Sequence, residues 1–223
     1  MFARVVTLPM HPVDLPAIEA RFRDVSAPLL ASLPGFSGLI ACTQRESGYA
    51  MSTSLWADRA TLAGSSLHPH VVDEVTRFAS ITTGPFNRDE LEVLLQRSAT
   101  PPAYPLGDDL AVIVTHLSVV DEAWDELVAH VPSSSPTVDP DGTGRLLVQV
   151  LGSRERLRLQ VTEVWSSPEG PLRTGTFAYD DPMMFRRREL FSSVQVLTDM
   201  RMRAWLPAPD ATSPPADILR GCG

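Results

Sequence analysis

Two successive β-α-β-β-α-β units, giving an α+β chain with antiparallel sheets, are the fold class this sequence predicts, and three observations predict it. Sliding the chain against itself by 109 residues aligns Gly35 with Gly144, Glu46 with Glu155, Thr53 with Thr162, Trp56 with Trp165 and Arg77 with Arg186. Hydrophobic periodicity gives each half the same order of strand-like and helix-like segments. A proline-rich stretch, "SATPPAYPLGDD", separates the halves. The expected boundaries are residues 1–98 for the first unit, 99–108 for the linker, 109–207 for the second unit and 208–223 for a polar tail.

In the first half, "FARVVTL" opens as a strand. "DLPAIEARFRDVSAPLLASLPG" then sets Leu15, Ile18, Phe22, Val25 and Leu29 at helical spacing behind an Asp14 cap, and Gly35 ends the helix. "GLIACTQRESGYAMSTSLW" reads as two strands joined at Glu46-Ser47-Gly48. Asp58 caps a short helix after Trp56, and the "HPH" break precedes "VVDEVTRFASI", with Val71, Val75 and Phe78 on one face. "ELEVLLQR" fits a helix by its leucines, yet the symmetry with the later half makes it a strand.

The second half opens on "DLAVIVTHL". "SVVDEAWDELVAHV" places Trp124, Leu127, Val128 and Val131 on a helical face, and "GRLLVQVLGSRERLRLQVTEVW" is a hairpin expected to turn at Gly152-Ser153. "DPMMFRRRELFSSV" supplies a second helix. "VQVLTDMRMRAWLP" alternates Met200 and Met202 against Arg201 and Arg203, as a half-buried strand does.

A β-α-β-β-α-β order is a ferredoxin-like unit, with both helices on one face of a four-stranded sheet. The other face is too apolar to stay bare. The two sheets are therefore expected to pack face to face, as a pseudo-dimeric α/β barrel that encloses cavities.

At 223 residues the chain has room for two such domains, and a net charge of -8 argues against nucleic-acid binding, which depends on basic residues meeting phosphates. All 19 basic residues other than histidine are arginine. The absence of lysine excludes Schiff-base chemistry and the lysine-containing phosphate-binding loop. No apolar run reaches the roughly 18 residues of a membrane span and the N-terminus does not read as a secretory signal, so a cytoplasmic location is expected. Cys42 in an apolar stretch and Cys222 in a polar tail suggest no disulfide framework.

"LPGFSGL", with its helix-end glycine, and "STSLWADRATLAGSSLHPHV", with its strand-end tryptophan, following helix and histidine after a serine, resemble the antibiotic biosynthesis monooxygenase family of the dimeric α/β-barrel superfamily, here in a tandem two-domain form. The resemblance covers nearly all the first half and the second half loosely. It implies oxidation of an aromatic polyketide-type ring by O2 with no metal and no cofactor: a base removes a proton, the carbanion reduces O2, and the enzyme steadies the anion. In the family an Asn stands four residues before the tryptophan. Here that position is Ser52, and Asn87 is the sole Asn in the chain.

Strand alternation puts Ala50, Ser52 and Ser54 beside Trp56, and Leu159, Val161 and Glu163 beside Trp165. The small, hydroxyl-bearing set leaves room, so the first half is expected to be the active one. The candidate catalytic residues are Trp56, Ser52, Arg77, His68 and His70; Ser54, Trp165 and His116 are candidates for holding the substrate. Arg77 follows Trp56 by the same interval as Arg186 follows Trp165, and a guanidinium there could hold a phenolate. His68 and His70 lie near Asp73 and Glu74, but Pro69 and the lack of a third histidine at standard spacing favour a general base over a metal site. The expected partners are a small aromatic substrate and O2, without nucleic acid or membrane, with association into a homodimer left open. A polyketide cyclase or isomerase, and a non-catalytic aromatic-ligand-binding protein, are the competing readings.

Overall fold

Each half of the chain follows the order strand, helix, strand, strand, helix, strand in the computed structural model, which describes residues 1–99, 110–134, 137–173 and 190–206. In the first half these are β1 (Phe2–Pro9), α1 (Leu15–Arg21) and α2 (Ala27–Ala31), β2 (Phe36–Gln44), β3 (Tyr49–Trp56), α3 (Arg59–Ser65) and α4 (Pro69–Ala79), and β4 (Asn87–Ser98). In the second they are β5 (Ala111–Val119), α5 (Trp124–Ser134), β6 (Arg145–Ser153), β7 (Arg158–Trp165), α6 (Gly170–Arg173) and β8 (Phe191–Leu206). The described residues pack as two units, one formed by those within 1–90 and 203–206 and the other by those within 91–202. Strands β4 and β8 thus each contribute residues to both.

Within the first unit β3 is central, antiparallel to β1 and β2. Phe2 and Phe36 both lie opposite Trp56, which closes one end of the sheet. The second unit orders its strands β4-β6-β7-β5-β8, all antiparallel. The repeat is visible in backbone detail. Gly35 and Gly144 take φ values of +76° and +79°, and their carbonyls accept hydrogen bonds from the residues after each tryptophan, Ala57 at 2.7 Å and Ser166 at 2.8 Å. Only glycine takes such a φ at little cost, so the same residue recurs where the same turn recurs.

The first helical segment departs from a single regular helix. A 3-10 turn, Pro12–Asp14, leads into α1 without a side-chain cap from Asp14, and a π turn, Phe22–Ser26, separates α1 from α2. Pro28 explains the turn: it has no N–H for the carbonyl four residues back, and the chain widens so that the Ala27 N–H bonds Phe22 O instead. The extra residue rotates the helical face. Val25, expected in the core, is 41% exposed, and Ser26 turns inward.

Asp58 caps α3 as expected, its carboxylate accepting from the Thr61 N–H at 2.8 Å. Residues 87–98 are a strand, as symmetry with the later half suggested. The second hairpin turns at residues 154–157, with Leu157 at φ 51°, and not at Gly152-Ser153. Gly152 is a glycine for another reason: a Cβ there would stand 2.6 Å from Leu94 and about 3 Å from Leu159 and Trp124. Phe191–Val194, assigned from sequence to a helix end, belong to β8; most of that expected helix, Arg186, the linker and the tail lie outside the described residues. Met200 and Met202 are buried, as their alternation indicated. Among the described residues no helix is long and apolar enough to cross a membrane.

Candidate functional site

The register of β1 on β3 sets Arg4 opposite Ser54, Val6 opposite Ser52 and Leu8 opposite Ala50. Directly opposed residues of an antiparallel pair share a face. This face forms the floor of a cavity of about 270 Å³ within the first unit. Phe22 and Ser26 of the π turn, Leu29 and Leu30 of α2, and Val71 and Phe78 of α4 form the opposite wall. The π turn therefore matters to the site, because it carries Phe22 and Ser26 to positions that an unbroken helix would present elsewhere. The cavity lies between sheet and helices of one unit, whereas the sequence suggested space between facing sheets.

Polar groups gather in two places. Glu74, on the inward face of α4 between Val71 and Phe78, accepts from Arg21 Nε at 3.0 Å, from Arg21 Nη2, and from Ser26 Oγ at 3.1 Å. These bonds commit its carboxylate to a structural role. The other group surrounds Arg4. Its Nη1 donates to Ser65 Oγ at 2.8 Å, its Nη2 donates to Leu62 O and to Ser66 Oγ, and Glu90 Oε1 lies 3.5 Å away. Arg88 Nη2 donates to the same Ser66 hydroxyl at 2.6 Å and to Glu90 at 2.7 Å.

Burial, and then the neighbouring Arg88 charge, push the Arg4 pKa down to about 10, with Glu90 partly compensating, so Arg4 stays charged at neutral pH. Burial works against the Glu90 charge, but the hydrogen bond and charge of Arg88, with help from Arg4, outweigh it and hold that carboxyl below its usual range.

Of the residues singled out from sequence, Ser52 and Ser54 line the cavity. Trp56 is fully buried behind them, edge-on to Phe36 at 5.9 Å, and its indole N–H donates to Ser54 Oγ at 3.0 Å. It does not line the cavity itself and reaches it through that serine and through Arg4, whose guanidinium carbon stands 5.9 Å from the centre of the indole ring. Arg77 points outward from α4 with a 60% exposed side chain, 3.9 Å from Glu74, and does not line the cavity. His68 stands at the N-cap of α4 with a buried, unpartnered Nδ1; the exposed His70 ring is 5.5 Å from it, and neither lines the cavity. Among the described residues no group of three or more His, Cys, Asp or Glu side chains could hold a metal ion.

Trp165 and His116 belong to the second unit. Arg145 and Glu163 occupy the places that Phe36 and Ser54 hold in the first, and the Arg145 guanidinium lies 4.3 Å from the Trp165 ring centre. Arg145 Nε is 3.0 Å from Glu163 Oε1, yet no aligned hydrogen bond joins them, and the Trp165 N–H has no partner. An ion pair has replaced the hydroxyl of the first unit. His116 sits between Gln160 and Gln195, and burial, then the Arg158 charge, lower its pKa.

Arg4 and Arg88 were not singled out from the sequence, and Glu74 entered only as a neighbour of His68 and His70. A lone charge inside "FARVVTL" is the one signal that marked Arg4, and it gains meaning only when β1 is registered on β3.

No protein-family profile and no curated protein matches the chain. Solved structures do. The chain is similar to a candidate monooxygenase from Fusobacterium nucleatum subsp. nucleatum, with a TM-score of 0.73 and 13% identity over 92% of this chain and 94% of that one. It is similar to a candidate monooxygenase from Lactobacillus acidophilus, with a TM-score of 0.67 and 12% identity over 94% and 99%. An anthrone oxidase-like protein gives a TM-score of 0.63 and 14% identity over 90% of each chain. At such identities the likeness establishes a shared fold over nearly the full length, and the chemistry has to be argued from the site.

Proposed function

We propose that this chain is a monooxygenase of the antibiotic biosynthesis monooxygenase type, which oxidises a small aromatic, polyketide-like substrate with O2 in the cavity of the first unit and uses neither metal nor flavin. The observation that carries this reading is the cavity itself: walls of Phe, Leu and Val surround a space also lined by the cross-strand partners Arg4 and Ser54. An apolar slot with a few convergent polar groups is the usual form of a small-molecule site, and about 270 Å³ suits a compact ring system. The names of the structures that share the fold, two candidate monooxygenases and an anthrone oxidase-like protein, support the same reading. The tandem arrangement, with ferredoxin-like units at residues 1–98 and 109–207 forming a pseudo-dimer, is part of the proposal and rests on the repeat.

The ionisable side chains lining the cavity are Arg4, Glu74 and Arg88, and Glu74 is bound to Arg21 and Ser26. The site thus stabilises an anion better than it abstracts a proton. A substrate with an acidic C–H beside a phenol loses its proton to water more readily next to a guanidinium. The carbanion reduces O2 to a hydroperoxide on that carbon; loss of a second proton with cleavage of the O–O bond leaves a carbonyl and releases water.

Oxygen uptake by chelator-treated protein supplied with an anthrone tests the reading. One O2 is expected to disappear per anthrone, with one atom of labelled oxygen in the product carbonyl. Binding without uptake would leave a ligand-binding protein, and rearrangement without uptake a cyclase or isomerase.

A further inference from the structure

We propose that the cavity takes its ligand as an anion, with a phenolate, enolate or carboxylate oxygen seated at the polar end against the Arg4 guanidinium and the Ser54 hydroxyl. This deepens the functional reading above by naming the charge state and the two groups that read it. Arg4 is 6% exposed, and its two terminal nitrogens are held by the end of α3 through Ser65, Leu62 and Ser66. Its Nε–H has no hydrogen-bond partner in the protein, and the guanidinium carbon stands 5.9 Å from the centre of the Trp56 ring. A buried, charged donor left unpaired costs more than almost any other polar vacancy, so a group that completes it gains correspondingly.

Charge points the same way. Arg4 and Arg88 share the single Glu90 carboxylate, at 3.5 and 2.7 Å, which leaves this end of the cavity with one excess positive charge. Ser54, directly opposite Arg4 on the neighbouring strand, accepts the Trp56 indole N–H. A hydroxyl that accepts from one side has its own proton free to donate on the other. Two donors on adjacent strands, one of them cationic, form a seat for one anionic oxygen, and the apolar walls accept the rings behind it. The lowered Arg4 pKa accords with a guanidinium held in a dry site with too little negative charge around it.

The test is equilibrium binding of 2-naphthoate and of its neutral isostere 2-naphthamide at neutral pH, probes that involve no oxygen chemistry. The wild-type protein is expected to prefer the carboxylate by on the order of tenfold, the increment of a charge-assisted hydrogen bond. Arg4→Gln is expected to abolish the preference while naphthamide affinity holds. Because Arg4 also ties β1 to α3, Ser54→Ala is the second variant; it leaves those contacts alone and should reduce the preference several-fold. Equal binding of the two probes by the wild type, or an undiminished preference in Ser54→Ala or in folded Arg4→Gln, would overturn the proposal. Oxygen uptake on an anthrone without anion preference would leave the oxygenase reading standing and remove this one. Anion preference without oxygen uptake would do the reverse.

Discussion

Arg145→Met is expected to destabilise the protein by about 3–5 kcal/mol at neutral pH, the usual cost of stranding one member of a buried ion pair. Arg145 and Glu163 are 6% and 7% exposed, so water does little to screen either charge. Glu163 is the vulnerable partner. Burial raises its pKa, and the Arg145 charge is what pulls it back. A carboxyl whose pKa is higher in the folded than in the unfolded chain holds more protons when folded between the two values. Its contribution is therefore present below the unfolded value, roughly pH 4, and lost as the pH rises through the folded one. Removing Arg145 lifts the folded value further and widens that window upward. Urea unfolding as a function of pH checks this: the deficit relative to wild type should be small in acid and grow toward neutrality. Arg145→Met with Glu163→Leu should recover much of the loss, because no charge then remains buried.

Trp56→Phe is expected to cost about 1–2 kcal/mol in lost packing and one lost hydrogen bond, and to lower kcat on anthrone on the order of tenfold with KM little changed. The indole N–H fixes which way the Ser54 hydroxyl faces. Phenylalanine leaves that hydroxyl free to turn away from the ligand, a loss felt most where charge develops on the substrate oxygen. Trp56 is thus a positioning residue, and the KM-against-kcat split separates that role from simple core packing. Trp165→Phe provides the contrast. Its N–H has no partner, so phenylalanine removes a buried unsatisfied donor, and the cost is confined to packing and to a weaker cation–π contact with Arg145.

Much of the architecture could be read before any coordinates, and the reason is local. Gly35 and Gly144 declare a backbone angle, Asp58 declares a cap, and the alternation of Met200 and Met202 declares a buried strand face. These features depend on neighbours within a few residues. The pairing of Ser52 and Ser54 with Trp56 on one face was legible for the same reason, since strand alternation needs no partner.

The rest of the site depends on register and on a break in periodicity. Arg4 becomes a site residue only because it falls opposite Ser54, and a slip of one residue would have sent it to the other face. Glu74 sits at helical spacing from Val71 and Phe78, but a carboxylate at such a position reads as a solvent charge until Arg21 and Ser26 are seen beside it. The π turn ahead of Pro28 moved Val25 out and Ser26 in, against any regular helical projection. Arg77, His68 and His70 were chosen for what their side chains can do. The geometry of α4 sets them outside the cavity wall.

The account stands on the first-unit cavity being the place where substrate reacts, and oxygen uptake by Ser52→Phe tests this most directly. Ser52 lies on the cavity floor, and a phenyl ring there occupies the space the substrate would need. With Arg77→Ala as a control at an exposed residue that does not line the cavity, folded Ser52→Phe is predicted to lose at least about nine-tenths of the anthrone-dependent uptake, a deficit of one hydrogen-bond's worth or more in transition-state binding, while the control retains it. Full uptake by a folded Ser52→Phe protein would contradict the account.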